Sequence, residues 1–255
     1  MGNRFDCTFN FGGRTAIVTG GSSGIGRAVA SALVDSGAHV AVFGRDETKL
    51  ARLPDGCMPV RCDVGDAEET ENAVATVVSR FGVPDFLVNS VGLNIRKAIF
   101  DLSEEELSEM FRTNFFGTFR LCRIVALRMA AEWKSGDPYR KIVNVTSTGA
   151  WQGSLNYGGY NSSKAALVNA TRVMANEWYR KGIIVNSVCP GPTLTPFLPY
   201  WKDPERIKAV ADKTPAGRVA DPEDIVGPVL FFLSNASNWI VGQPLAADGG
   251  KGLNS

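Results

Sequence analysis

The chain is predicted to fold as a single α/β domain, residues 1–255, on a doubly wound parallel sheet of about seven strands. Three observations predict it. Short β-branched runs alternate with longer stretches of helical periodicity along the whole chain. A glycine-rich turn, Gly20 to Gly26, joins the first such run to the first helical stretch. No repeat or low-complexity linker interrupts the alternation.

Taken in order, residues 14–19 (RTAIVT) read as a buried strand, followed by the turn and a helical pattern over 27–36. In that setting the backbone N–H groups of Gly20, Ser22, Ser23, Gly24, Ile25 and Gly26 and the positive helix terminus face a pyrophosphate. The glycines allow close approach and tight helix packing. Residues 39–43 form the second strand, ending at Gly44-Arg45-Asp46. An acidic side chain there would hold an adenosine ribose 2′-hydroxyl, whereas an arginine accommodates a 2′-phosphate. Gly44 and Arg45 therefore favour NADP(H), with NAD(H) allowed; Asp46 suits either the N-cap of the next helix, the favoured reading, or a ribose contact.

Residues 58–62 form the third strand, with Asp63-Val64 at its end, and 66–81 read as a helix with Val74, Val77 and Val78 on one side. Residues 85–89 are the fourth strand, closing with Ser90-Val91-Gly92, and 102–133 a long helix interrupted near Asn114 and Gly117. An asparagine inside a helical pattern needs an accounting for its amide, which points to the active site. Residues 141–147 are a β-branched strand ending in hydroxyls, 183–188 the sixth strand, 222–233 a helix and 244–247 a last short strand. Residues 193–216, rich in proline and aromatic residues, read as a small partly helical lid over the substrate.

Lys+Arg number 27 against Asp+Glu 26, so no overall field recruits nucleic acid or an anionic membrane, and no run approaches the length of a membrane helix. The five cysteines, Cys7, Cys57, Cys62, Cys122 and Cys189, are scattered and odd in number, which fits neither a zinc knuckle nor a disulfide framework. A reducing cytoplasm is the expected setting, and the sequons at Asn144 and Asn235 are then chance matches. His39 is the single histidine, which argues against a catalytic triad and a two-histidine metal site. Two decoys fall with it. Gly20-Gly21-Ser22-Ser23-Gly24 matches a nucleophile elbow but lacks the late histidine, and Gly21 to Gly26 has phosphate-loop spacing but continues Arg27-Ala28 where Lys and Ser/Thr are needed.

The chemistry-bearing stretch is Tyr160-Asn161-Ser162-Ser163-Lys164. Residues four apart share a helix face, so the phenol and the ammonium meet. A free tyrosine ionises near ~10, and a nearby cation favours the phenolate. Tyr and Lys four apart occur often by chance; Ser147 upstream at a strand end, the glycine turn and Asn114 make chance a poor explanation. Asn94, Arg96, Trp151, Tyr157 and Trp201 are candidate pocket residues, with Trp151 and Tyr157, beside Ser147, the expected substrate contacts; aromatic side chains there pack by default.

These motifs together resemble the short-chain dehydrogenase/reductase family, the single-domain Rossmann oxidoreductases. Thr19-Gly20, Gly24 and Gly26 fit its cofactor turn, Asp63-Val64 its adenine-side pair, and Asn114, Ser147, Tyr160 and Lys164 its catalytic four. Pro190-Gly191 with Thr193 and Thr195 fits its nicotinamide-side loop. The Gly217-Arg218 turn and the Asp248-Gly249-Gly250 end are similar to the bacterial 3-oxoacyl-reductase and gluconate dehydrogenase branches. Where the family usually has Asn-Asn-Ala-Gly, this chain has Asn89-Ser90-Val91-Gly92, keeping Asn89 and Gly92 for the cofactor turn. The resemblance implies hydride exchange between a nicotinamide and a ketone or secondary alcohol, with Tyr160 as general acid/base and Ser147 on the carbonyl oxygen. Lys164 would bind the ribose and lower the Tyr160 pKa, and Asn114 would hold a relay water. It also implies a homotetramer. A dinucleotide-binding regulatory protein without turnover is the alternative, and an α/β-hydrolase a third.

Overall fold

The structure, a computed structural model, describes residues 8–254. Cys7 and most of the irregular start lie outside the described residues. Seven strands join one sheet in the order β3-β2-β1-β4-β5-β6-β7: β1 Thr15–Thr19, β2 His39–Gly44, β3 Cys57–Arg61, β4 Phe86–Asn89, β5 Arg140–Val145, β6 Ile183–Pro190 and β7 Pro244–Ala247. Every neighbouring pair is parallel. The chain winds outward from β1 through β2 to β3, then returns to place β4 on the other side of β1. That reversal opens a crevice at the carboxyl ends of β1 and β4, the place where such sheets bind ligands.

Both faces of the sheet are covered, so the strands are apolar on both sides. Ile17, Leu87, Ile142 and Val185 face α3 (Ala67–Phe81), α5 (Thr118–Glu132) and α6 (Gly158–Trp178), meeting Val74, Val77, Leu121, Val125, Met129 and Met174. Their alternating neighbours Val18, Val42, Val88, Val143 and Val188 face α1 (Gly24–Asp35) and α8 (Val226–Leu233). Each such aliphatic side chain, fully buried, contributes roughly 1.5–3 kcal/mol. Register is pinned at the bottom by Asp85, which accepts from Arg14 Nη1 at 2.7 Å and from the Thr15 N–H at 3.0 Å. Lys141, 1% exposed, enters the core beside them and donates to Asn238 Oδ1 at 2.6 Å.

Several boundaries differ from the sequence reading. β5 stops at Val145 because Ser147 turns to cap a short 3-10 helix, Thr148–Trp151, its Oγ accepting the Gly149 N–H at 3.0 Å. The helix expected over 222–233 opens as a 3-10 turn, Pro222–Ile225, because Asp221 and Asp224 form a capping box there. Asp46 caps α2 (Glu47–Leu50). The long helix of 102–133 is α4 (Glu104–Phe111), capped by the Ser103–Glu106 box, then one wide π turn, Arg112–Gly117, then α5. Gly117 is required in that turn: a Cβ there would lie 2.4 Å from the Val64 carbonyl oxygen. Within 193–216, α7 (Pro204–Ala211) follows a 3-10 turn, Pro199–Lys202, with Asp203 as N-cap and Pro204 at the first helical position. Among the described residues no helix is long and apolar enough to cross a membrane.

Candidate active site

The crevice is a cleft of about 600 Å³ along the carboxyl edge of the sheet. At its centre, the turn of residues 20–23 joins β1 to the first turn of α1. Gly20 takes φ +66°, and a Cβ there would press on the Ser90 backbone at 2.9 Å. Gly26 lies 2.5 Å, measured from an added Cβ, from the Gly20 carbonyl oxygen, so it seats the helix against the turn. Gly20, Ser22, Ser23, Gly24 and Ile25 line the cleft, while Gly26 works from behind. This cradle of backbone N–H groups and glycines is the shape a pyrophosphate needs.

One end of the cleft is bounded by Arg45, Asp63 and Val64. Asp46 accepts from the Lys49 N–H at 3.1 Å and from Thr48 Oγ1 at 2.6 Å, which holds its carboxyl below the ordinary value. Of the two readings open for Asp46 the cap is what the fold uses. Burial works against the Asp63 charge, but the Gly65 N–H at 2.9 Å and Arg112 Nη1 at 3.2 Å outweigh it and keep its carboxyl below the usual range.

The other end holds Ser147, Tyr157, Tyr160 and Lys164, and Gly92, Pro190, Gly191, Thr193 and Thr195 also line the cleft. Tyr160 and Lys164 rise from the first turns of α6, and Ser147, at the end of β5, is hydrogen-bonded to Tyr160. Lys164, 3% exposed, donates to the Val145 carbonyl at 3.2 Å, and its Nζ stands 5.8 Å from the Tyr160 ring centre. A Cβ on Gly92 would come within 3.7 Å of that ammonium. Burial pushes the Tyr160 phenol up to about 12 against the lowering bond from Ser147, and pushes the Lys164 amine down to about 8. The lysine was expected to depress the phenol. In the chain by itself desolvation dominates both groups, so the tyrosine holds its proton and the lysine carries its charge less firmly.

Residues 20–251 match a family model described as enoyl-(acyl carrier protein) reductase. The chain belongs to the short-chain dehydrogenase/reductase family. This short-chain dehydrogenase/reductase is 36% identical over 242 residues to the L-xylulose reductase of Cavia porcellus, covering 93% of this chain and 96% of that one. It is 31% identical over 249 residues to the 2-dehydro-3-deoxy-D-gluconate 5-dehydrogenase of Dickeya dadantii (strain 3937), covering 95% and 97%. A solved structure from Beutenbergia cavernae, described as a candidate NAD(P)-dependent gluconate 5-dehydrogenase with NADP bound at low occupancy, superposes with TM-score 0.88 at 35% identity, covering 98% of this chain and 100% of that one.

Three residues expected at the site of this short-chain dehydrogenase/reductase do not line the cleft. Asn89 is 2% exposed and lies beneath the turn, donating from Nδ2 to Asn144 Oδ1 at 2.8 Å and to Cys122 Sγ at 3.2 Å. The register sets Thr19 beside Asn89 and Asn89 beside Asn144, so this position braces the strand ends and does not line the cleft. Trp151 is 51% exposed at the end of its 3-10 helix and is likewise not part of the cleft wall, where Gln152 and Ser154 stand instead. Asn114 is fully buried in the π turn. Its Oδ1 accepts the Leu93 N–H at 2.7 Å, and its Nδ2 donates to the Leu93 carbonyl at 2.8 Å and to Ser163 Oγ at 3.0 Å. It positions the loop after β4 and does not itself line the cleft.

Sequence reading missed Thr113 and Lys251 in the wall. Lys251 is brought there by the two positive-φ glycines Gly249 and Gly250, at +63° and +83°, and donates to the Lys213 carbonyl at 3.2 Å. The Asp248-Gly249-Gly250 turn was the available signal. Lys97 pairs with Glu106 on α4, and Arg96 stacks over the Tyr157 ring at 5.1 Å. Among the described residues no three His, Cys, Asp or Glu side chains converge as a metal site requires.

Proposed function

We propose that the protein is an NADP(H)-dependent reductase of small ketones, run in reverse as a dehydrogenase of secondary alcohols. Its substrates are hydroxylated carbonyl compounds of the kind named for its relatives, xylulose and ketogluconate derivatives. One observation carries the reading: Ser147, Tyr160 and Lys164 converge in the same cleft that the glycine turn and Arg45 line at its centre and far end. NADP(H), when bound, supplies or takes the hydride. The glycine turn would hold its pyrophosphate, Arg45 its 2′-phosphate and Lys164 its nicotinamide ribose.

Everything else falls to the chain. Tyr160 gives its proton to the carbonyl oxygen as the carbon is reduced, yielding the alcohol, and takes it back in the reverse direction. A phenol held near 12 is a reservoir of that proton until a partner oxygen gains negative charge. Ser147 hydrogen-bonds the same oxygen and stabilises the charge that develops there. Asn114 keeps the facing loop in place. The segment at 193–216, carrying Thr195 and Phe197 in the cleft wall, serves as the cover over the substrate.

The reading includes a homotetramer in a reducing cytoplasm. Phe116, Phe119 and Leu127 leave 55%, 40% and 65% of their surface exposed along the π turn and α5, an apolar face suited to a second copy. Cys57, Cys62, Cys122 and Cys189 are free thiols, which suits a reducing compartment. The test is loss of NADPH absorbance with a panel of keto-sugars, keto-acids and simple ketones. Tight NADPH binding with no turnover on any member favours the dinucleotide-binding regulator instead.

A further inference from the structure

Asn94 lies in the loop after β4 and lines the same cleft as Ser147 and Tyr160. Both of its amide atoms, Nδ2 and Oδ1, are shut off from solvent and make no hydrogen bond within the protein. Buried polar groups are almost always paired, because an unpaired donor or acceptor forfeits its bonds to water. Here a donor and an acceptor on one planar group are left over together.

The backbone around it leaves little freedom to relieve that. On one side, both backbone groups of Leu93 are taken by Asn114, at 2.7 and 2.8 Å. On the other, the Ile95 N–H donates to Met110 Sδ at 3.4 Å. The neighbours are anchored to the π turn and to α4, so Asn94 is presented from a fixed span of chain. The span of chain is fixed but the side chain is not: an unsatisfied amide that can turn about its own side-chain bonds in a cleft wall fits a partner that arrives from outside.

We propose that Asn94 is a specificity-determining residue that binds a pair of neighbouring oxygens on the substrate, vicinal hydroxyls or a hydroxyl beside the reacting carbonyl. A carboxamide accepts at Oδ1 and donates at Nδ2, which matches a diol, since one hydroxyl donates while the other accepts. A substrate without those hydroxyls would leave both atoms unpaired and bind less well. The inference rests on the reductase reading and names the substrate feature that its site selects: polyhydroxylated carbonyl compounds over simple ketones.

The experiment compares wild type with Asn94→Leu, which keeps the bulk and removes both polar atoms, and with Asn94→Asp, which keeps the acceptor alone. Steady-state rates with NADPH are measured on a ketopentose and on an unhydroxylated ketone, alongside NADPH affinity by fluorescence and the melting temperature. Expected are a fall of about 10- to 100-fold in kcat/KM on the ketopentose for Asn94→Leu, a smaller fall for Asn94→Asp, and a change within about threefold on the simple ketone. NADPH affinity should hold, and Asn94→Leu should melt no lower than wild type, because it removes two unpaired buried atoms. Equal losses on both ketones, a matching loss of NADPH affinity, or a lowered melting temperature with uniform loss would overturn the inference and leave the reductase reading standing. A wild type that reduces no carbonyl compound would overturn both.

Discussion

The side-chain amide of Asn114 closes both backbone groups of Leu93, accepting its N–H at 2.7 Å and donating to its carbonyl at 2.8 Å. One buried side chain thus does for the loop after β4 what a strand neighbour does inside the sheet. Replacing it by leucine orphans both groups and removes the N–H that Ser163 Oγ accepts, although Ser163 keeps its bond to the Tyr160 carbonyl at 2.7 Å. Each unpaired buried group costs about 1–3 kcal/mol, so Asn114→Leu is expected to lose on the order of 2–4 kcal/mol in urea unfolding. A midpoint and slope equal to wild type would contradict the pinning role.

Tyr160→Phe keeps the ring against Phe197, whose centroid is 5.7 Å away, and removes the hydroxyl alone. Turnover is expected to fall by at least about 10²-fold while NADPH binding, read by fluorescence, stays within a few-fold. In the alcohol-oxidising direction the wild-type rate should climb as pH rises, since the base there is the phenolate. A variant that keeps most of its activity, or a wild-type oxidation rate that falls with pH, would remove Tyr160 from the proton path.

At the other end of the cleft, Arg45 carries the choice of dinucleotide. With Asp46 committed to its cap, Arg45→Asp places an acid where a 2′-phosphate would sit. The ratio of kcat/KM for NADPH over NADH is expected to drop by about 10-fold or more, with NADH use rising. An unchanged ratio would show that the arginine does not face the 2′ position.

Much of this arrangement was legible in the sequence because parallel strands covered on both faces read as continuous apolar runs, and each ran into a turn motif of recognisable chemistry. The break near Asn114 and Gly117 was visible as polar and small letters inside an apolar helical stretch. What the letters concealed was direction. Asn89 adjoins the cofactor turn in sequence, yet strand alternation points it into the sheet toward Asn144. Trp151 looked like a pocket aromatic, yet one 3-10 turn swings it outward and leaves Gln152 in the wall. Lys251 arrives from the far end of the chain, through a pair of left-handed glycines that the letters mark as a turn without giving its direction.

Lys141 makes a pH-dependent contribution to stability whose sign is opposite to that of a lysine gaining an acidic partner. Burial pushes its amine down to about 8 in the fold, while in the unfolded chain it stays near its ordinary value of ~10.4. Between those limits the unfolded state binds more protons, so the stability contributed by this residue rises with pH; below about 8 it is charged in both states and its burial is a constant cost. Lys164 acts in the same sense, whereas the buried Tyr160 phenol and the Cys122 thiol, both pushed up to about 12, act in the opposite one. The comparison with Lys141→Met isolates the residue. Wild type should gain on the variant as pH rises from about 8 to 10, by no more than ~1.4 kcal/mol per unit. A difference independent of pH would mean that the amine stays hydrated.

The wide turn at Arg112–Gly117 makes chain length itself part of the site. A rung that closes at the fifth residue where its neighbours close at the fourth holds one residue in surplus. Excising that residue would return the ladder to ordinary spacing, with Met110 and Leu121 still facing inward, so the molecule could shed it and remain folded. The amide that grips Leu93 would be rotated away. An enzyme shortened there would be a sound scaffold with a slack mouth, its fold and its selectivity separated by a single deletion.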